Sequence, residues 1–159
     1  MKQTSDNLLE AIENARPRLL SISNRVAAIK TRPDKWSAKE IIGHLIDSAA
    51  NNHQRFVRAQ LGLKALQPYR YMQDYWVNAQ QYQSADWPSL VSLWYFYNLH
   101  LVHVIAHFQP DALDQELDVW DEPATLRFVA EDYVRHLQHH LDQIFQPVEH
   151  ENGIAEMHA

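Results

Sequence analysis

Ten histidines and no cysteine limit the metal chemistry that this sequence of 159 residues can offer. Disulfides, thiolate ligands and a cysteine nucleophile are excluded, which leaves imidazoles as the strongest candidate ligands for a transition metal. His136 and His140 are four residues apart, so on a helix they share one face and can bind one ion together. A third ligand must come from another helix. His44 is the candidate, because its neighbours Ile41 and Leu45 indicate an inward position.

Three neutral imidazoles leave at least one coordination position open, which is typical of catalytic rather than structural sites. Asp47 and Asp142 are candidates to orient the ligand rings by hydrogen bonding. The ligands do not select the metal, since three imidazoles suit Zn, Ni, Fe or Mn. A ligating imidazole must be neutral, and its ordinary pKa of about 6.5 predicts that metal affinity falls as the pH drops from about 7 toward 5.

A second set of histidines offers a rival interpretation. His103 and His107 have the same spacing, and His100 lies on the same side. Because chance produces such pairs in a histidine-rich chain, spacing alone leaves two alternatives for each pair: a metal site, or side chains that cover the bundle or line a cavity. The remaining histidines considered are predicted to be solvated: His53, His139, His150 and His158.

Long segments with helical periodicity and few glycines predict an all-α four-helix bundle. Pro17 lies inside the first segment, where it removes a backbone donor, so a kink or break is expected there. One domain is predicted over residues 1–147, followed by a disordered tail at 148–159. The four predicted segments are 7–30, 37–61, 86–108 and 123–145.

The second segment has the clearest start signal. Ser37 and Glu40 form a capping box, flanked by the apolar residues Trp36 and Ile41. The connection that follows, residues 62–87, is too long for a tight turn and predicts a crossover of the whole bundle, with a short helix over DYWVNAQQY.

Aromatic rings are concentrated in this crossover. Tyr71 and Tyr75 are candidates to cover the metal cavity and bind a cofactor or substrate. The alternative is that the rings seal the open end of the bundle or form a contact in a homodimer, and this alternative is favoured for Trp76 and Trp87.

Composition excludes several partners. The net charge is −6 and the basic residues are scattered, which argues against nucleic acid. With three glycines there is no phosphate-binding glycine-rich loop. The N-terminal residues do not look like a signal peptide, and no apolar run approaches the ~18 residues that span a bilayer, so we expect a cytoplasmic protein acting on a small molecule without a membrane partner.

Residues 36–56 and 131–144, together with QDYWV at 73–77, resemble the DinB superfamily and especially its YfiT-like branch. The order of elements agrees from the first helix to about Phe145. The resemblance implies a four-helix bundle with one long crossover and one divalent metal ion. It also implies that the metal is held by a histidine of the second helix and two histidines four apart in the last, which match His44, His136 and His140.

The resemblance implies function less sharply. Members with assigned activities are metal-dependent transferases or isomerases that use low-molecular-weight thiols such as bacillithiol and mycothiol, and amide hydrolysis has been proposed for the YfiT-like branch. The expectation is therefore a thiol S-transferase, with a hydrolase of small amides or esters and a non-catalytic metal-binding bundle as alternatives. No glutamate stands beside the histidine pair as in HExxH, which weakens the hydrolase slightly.

Overall fold

A computed structural model describes residues 1–61, 71–117 and 123–146. Two 3-10 turns, Tyr82–Ser84 and Pro110–Ala112, accompany the helices and strands. In chain order the helices and strands are α1 (Lys2–Ser21), α2 (Asn24–Ala27), α3 (Ala38–Ala59), α4 (Gln73–Ala79), α5 (Trp87–Ala106), β1 (Glu116–Leu117), β2 (Ala124–Thr125) and α6 (Leu126–Phe145).

The four long helices pack in a ring. Helices α1 and α3 each contact both α5 and α6. The long connection between α3 and α5 carries the short helix α4, which packs on α3. The predicted all-α bundle with a crossover between its second and third long helices is confirmed. The tail at 148–159 lies outside the described residues.

Helix α1 shows where local sequence signals were misjudged. The helix runs through Pro17 to Ser21, so the expected break at the proline is wrong. The chain breaks instead at Ile22, which is extended, and Ser23 then caps α2 by accepting a hydrogen bond from the Val26 N–H. Because of this break the predicted apolar stripe ends early, and Val26 is exposed. The buried part of the stripe consists of Leu8, Ile12, Ala15 and Leu19.

The start of α3 confirms the capping box. Ser37 Oγ accepts a hydrogen bond from the Glu40 N–H, and Glu40 Oε2 accepts one from the Ser37 N–H at 2.8 Å. Glu40 also pairs with Lys30 at 2.8 Å, and Ser37 Oγ lies 2.7 Å from Gln83 Oε1 at the end of the crossover. These contacts fix the first turn of α3 and thereby the helix that carries His44.

The crossover is held against α3 by a polar contact and a tight packing contact. Asp47 Oδ1 accepts hydrogen bonds from the Tyr82 hydroxyl at 2.7 Å and from Gln80 Nε2 at 2.6 Å. The Tyr82 ring lies so close to Gly43 that a Cβ at this position would be 2.1 Å from Tyr82 Cδ2. Only a glycine leaves room for the ring here.

Helix α5 requires a correction to the membrane argument. An 18-residue stretch of this 20-residue helix has a mean hydropathy of 1.2, which makes the helix long and apolar enough to cross a membrane by length and composition. The expectation that no segment approaches this limit was therefore wrong, because α5 contains no Asp, Glu, Lys or Arg. Bundle packing also explains an apolar helix of this kind, since Trp94 and Leu101 are fully buried in the core.

The start of α6 differs from its prediction. The connection before it contains a short antiparallel pair, with Glu116 opposite Thr125 and Leu117 opposite Ala124. The helix begins at Leu126 rather than at Pro123, and Thr125 caps it. These two-residue strands were not predicted, because such short pairings leave no alternating pattern in a sequence.

Candidate metal centre

Three histidines from two helices converge at the predicted position. His44 lies on α3, and His136 and His140 lie one turn apart on α6. His136 Nε2 is 3.2 Å from His44 Nε2 and 3.2 Å from His140 Nε2. One ligand atom from each ring lies within 4.8 Å of the others, and this is the one such group found among the described residues.

The donor set fits a metal ion. With metal–nitrogen bonds of ~2.0–2.1 Å and tetrahedral angles, two imidazole nitrogens lie roughly 3.3 Å apart. The two separations of 3.2 Å are close to this value. The same separations also permit a hydrogen bond between neutral rings, in which His136 Nε2 either donates to or accepts from a neighbouring Nε2, according to its tautomer. Such rings become ligands once Nε2 is free of its proton.

Burial keeps the rings neutral. It lowers the pKa of His44 to about 3, and repulsion from His140 and His136 adds to this effect. Burial likewise lowers the pKa of His136 to about 4 and reduces that of His140. Protons therefore compete with a cation at a lower pH than the ordinary imidazole pKa predicts, and the expected fall in affinity between pH 7 and 5 moves to more acidic conditions.

Two aromatic residues surround the buried His44 ring. The Trp36 ring is 4.9 Å from that of His44 and 6.4 Å from that of His140, measured between centroids. The Tyr71 ring stacks at 6.4 Å from His44. These contacts restrict the orientation of His44, which is fully buried.

Hydrogen bonding orients one ligand, through a residue that differs from those predicted. His140 Nδ1 lies 2.9 Å from Gln143 Oε1, so Nδ1–H donates there and Nε2 faces the other rings. Asp142, a predicted acceptor, is exposed. Asp47 accepts hydrogen bonds from the crossover instead of from a histidine. His44 Nδ1 has no partner among the described residues.

A cavity of about 340 Å³ opens beside His136. Helix α3 supplies one wall and α6 another, while the crossover contributes Tyr71 and Gln73. This volume is near the lower end of the range for small-molecule sites. The residues that line it are mostly polar: Ser48, Asn52, Arg55, Tyr71, Gln73, Asp132, Tyr133 and His136.

A second cavity, of about 510 Å³, adjoins the centre on the side of His140. Trp36 and Gln143 line it together with the loop between α2 and α3, including Arg32 and Lys35. The metal centre therefore lies between two openings, and Tyr71 borders only the first.

The two crossover tyrosines differ in position. Tyr71 lines the first cavity, and burial raises its pKa to about 12. Tyr75 is 66% exposed and lines neither cavity, so the structure does not bring it to the site. Helix α4 explains the difference, because it buries Val77 against the bundle and turns Tyr75 toward solvent.

The rival histidines lie away from the centre. His103 is exposed on α5 and His107 is exposed just after its end, with His107 Nδ1 2.7 Å from the backbone oxygen of His103. His53 is only partly exposed, with its ring 5.1 Å from that of His100 and its Nδ1 3.3 Å from the Tyr97 hydroxyl. The prediction that His53 is solvated is therefore too simple. His139 is exposed as predicted, whereas His150 and His158 lie outside the described residues.

Sequence reasoning missed three residues near the centre. Asp132 precedes His136 by four positions and Gln143 follows His140 by three, so helical spacing could have placed both on the ligand face. Arg55 follows Asn52 by three on α3, and no sequence signal separates it from a surface arginine. Only the packed structure shows that it lines the cavity.

Comparison with known proteins agrees with this architecture. The structure is similar to that of YfiT from Bacillus subtilis, with a TM-score of 0.70 and 18% sequence identity over 91% of this chain and 86% of that one. YfiT is described as a probable metal-dependent hydrolase with an unusual four-helix bundle topology. Among curated proteins the sequence has no significant match. The family model of the DinB superfamily matches residues 3–144, and the chain therefore belongs to the DinB superfamily.

Proposed function

We propose that the chain is a metal-dependent hydrolase of small amides or esters, with one divalent cation held by His44, His136 and His140. The observation that carries the proposal is a group of three imidazoles beside a polar cavity that also contains a carboxylate, Asp132. A divalent cation in such a site acts as a Lewis acid and lowers the pKa of water or of a thiol.

Asp132 takes the role of general base, which the glutamate of an HExxH motif would fill and which no glutamate beside the histidine pair fills here. It lies one helical turn before His136, lines the same cavity, and is near enough that its charge opposes the lowering of the His136 pKa by burial. Its carboxylate is 3.0 Å from Arg135, which holds it at the edge of the cavity. A carboxylate at this position suits general base catalysis of water attack.

In the proposed reaction, the Asp132 carboxylate accepts a proton as the water oxygen bonds to the carbonyl carbon. The carbon–nitrogen or carbon–oxygen bond then breaks, and Asp132 returns the proton to the departing nitrogen or oxygen. Tyr71 and Tyr133 form part of the cavity wall and restrict the orientation of the substrate.

The thiol S-transferase remains the alternative proposal. It needs the same three ligands, and the absence of cysteine requires the thiol to come from a small external molecule. Asp132 favours the hydrolase, because a cation alone deprotonates a thiol at neutral pH, whereas attack by water gains from a base.

The test uses zinc-loaded protein and a panel of small amides and esters without thiols. We expect turnover that chelation abolishes, and an Asp132→Asn variant that loses ~10²–10⁴-fold in kcat while keeping its metal. Asp142→Asn is the matched control, since it changes an exposed carboxylate on the same helix.

Two outcomes would overturn the hydrolase. One is equal turnover in Asp132→Asn and wild type. The other is no turnover without a thiol, together with a near-ultraviolet charge-transfer band when cysteine, glutathione or bacillithiol is added to cobalt-substituted protein. The second outcome would establish sulfur ligation and favour the S-transferase.

A further inference from the structure

Arg55 is a half-buried cation in the wall of the first cavity. It lies on the same face of α3 as Ser48 and Asn52, seven positions after Ser48 and three after Asn52. These three residues form the α3 wall, whereas Asp132 and His136 belong to the α6 wall. The cavity thus has a cation on the α3 wall and, on the α6 wall, one proposed metal ligand, His136, and a carboxylate.

The Arg55 guanidinium has few partners for its five donors. Its Nη1 donates to Asn52 Oδ1 at 3.3 Å, and no ion pair to Arg55 occurs within 1–61, 71–117 and 123–146. The segment 62–70, which precedes Tyr71, contains no Asp or Glu. Burial lowers the Arg55 pKa, and only the nearby Tyr71 opposes this effect.

A guanidinium withdrawn from water with no carboxylate partner in the described part of the chain is unusual, because buried charges in proteins are normally paired. The other charged group of the cavity does not serve this purpose, since Asp132 pairs with Arg135 on its own helix. The planar fork of donors matches a carboxylate in a two-bond arrangement. A ligand is the natural source of the missing anion.

We propose that the first cavity binds small molecules carrying one carboxylate, which contacts Arg55 with Asn52 and Ser48 beside it. One cation against one carboxylate favours a monoanion over a doubly charged phosphate. The opposite end of the ligand then meets His136 and Asp132. This inference rests on the proposed function for that orientation, and it makes N-acyl amino acids the substrate class.

The test compares N-acetylglycine with N-acetylglycinamide, which differ only in the carboxylate, by ligand-observed NMR titration of zinc-loaded protein. Charge-assisted hydrogen bonds predict that wild type binds the acid about tenfold more tightly or better. Arg55→Met should remove this preference, and Arg55→Lys should retain part of it. Arg58→Met is the matched control, since it removes an exposed charge one turn later on α3.

The outcomes separate this inference from the hydrolase. If Arg55→Met and wild type prefer the acid equally, the inference is overturned, whether or not amides are hydrolysed. If the preference disappears on chelation but survives Arg55→Met, the carboxylate binds the cation, and the inference again fails. A preference that depends on Arg55 in protein without amide turnover would support the anion site and contradict only the hydrolase. Metal content and circular dichroism of each variant identify any loss of folding.

Discussion

The imidazoles of the metal centre differ in burial and in hydrogen bonding. His44 is fully buried against Trp36, whereas His140 is partly exposed and bonded to Gln143. The described residues offer no fourth donor in this group. Each of the three rings is therefore needed to hold the metal.

Replacing any of the three rings should therefore remove the metal. We expect His44→Ala, His136→Ala and His140→Ala each to reduce bound zinc from one equivalent to near zero, measured by mass spectrometry after gel filtration. His103→Ala, which changes an exposed ring on α5, should leave the metal content unchanged. Loss of zinc in the His103 variant with retention in the His44 variant would contradict the assignment.

Burial of neutral imidazoles also makes stability depend on pH. The pKa values of His44 and His136 are about 3 and about 4 in the folded protein, against about 6.5 in an unfolded chain. Between these limits the unfolded chain binds more protons, so the free energy of unfolding falls as the pH drops. We expect metal-free protein to lose stability from pH 6.5 toward 4 in urea titrations.

The control for this effect is again a substitution at an exposed ring. A His44→Asn variant should show a shallower decline over the same pH range, because it removes one group that is buried neutral. His103→Asn should follow wild type. Parallel declines in wild type and His44→Asn would show that other groups cause the acid sensitivity.

Helix α3 packs closely against the crossover, because the Tyr82 ring lies directly on Gly43. Gly43→Ala places a methyl group where the ring lies, and overpacking of this kind costs roughly 1–3 kcal/mol. We expect a lower midpoint in urea and weaker zinc binding, because the Tyr82 hydroxyl bonds Asp47 on the same helix that carries His44.

A double variant distinguishes overpacking from other effects of alanine. Without the Tyr82 ring, Gly43→Ala should gain the ~1 kcal/mol by which alanine exceeds glycine in helices. The substitution should therefore destabilise wild type and stabilise the Tyr82→Ala background. The same sign in both backgrounds would show that the ring contact is unimportant.

What could be predicted at this scale depended on how local the signal was. The capping box at Ser37 and the spacing of His136 and His140 involve neighbours within one helical turn, so sequence alone located them. The break was expected at Pro17, but the helix continues through the proline to Ser21, and Ser23 caps a new helix that the apolar periodicity did not reveal. The role of Arg55 depends on packing between α3, α6 and the crossover, which no local pattern encodes.

For the molecule as a whole, the proposed metal joins helices that are distant in sequence. A ligand that binds only the folded chain stabilises it by RT ln(1 + [L]/Kd), or ~2.7 kcal/mol at a hundredfold excess over Kd. We expect zinc to raise the urea midpoint of wild type accordingly. The midpoint of His44→Ala should not respond, and an equal response would place the stabilising zinc elsewhere.

The distribution of ligands over α3 and α6 has a consequence for synthesis of the chain. Translation proceeds from the N-terminus, so α1, α3 and α5 all precede the helix that carries His136 and His140. A cation bound by all three rings cannot assist folding of the earlier helices, because two of its three ligands do not yet exist. Acquisition of metal would thus follow docking of α6 and would mark the completed bundle during biosynthesis.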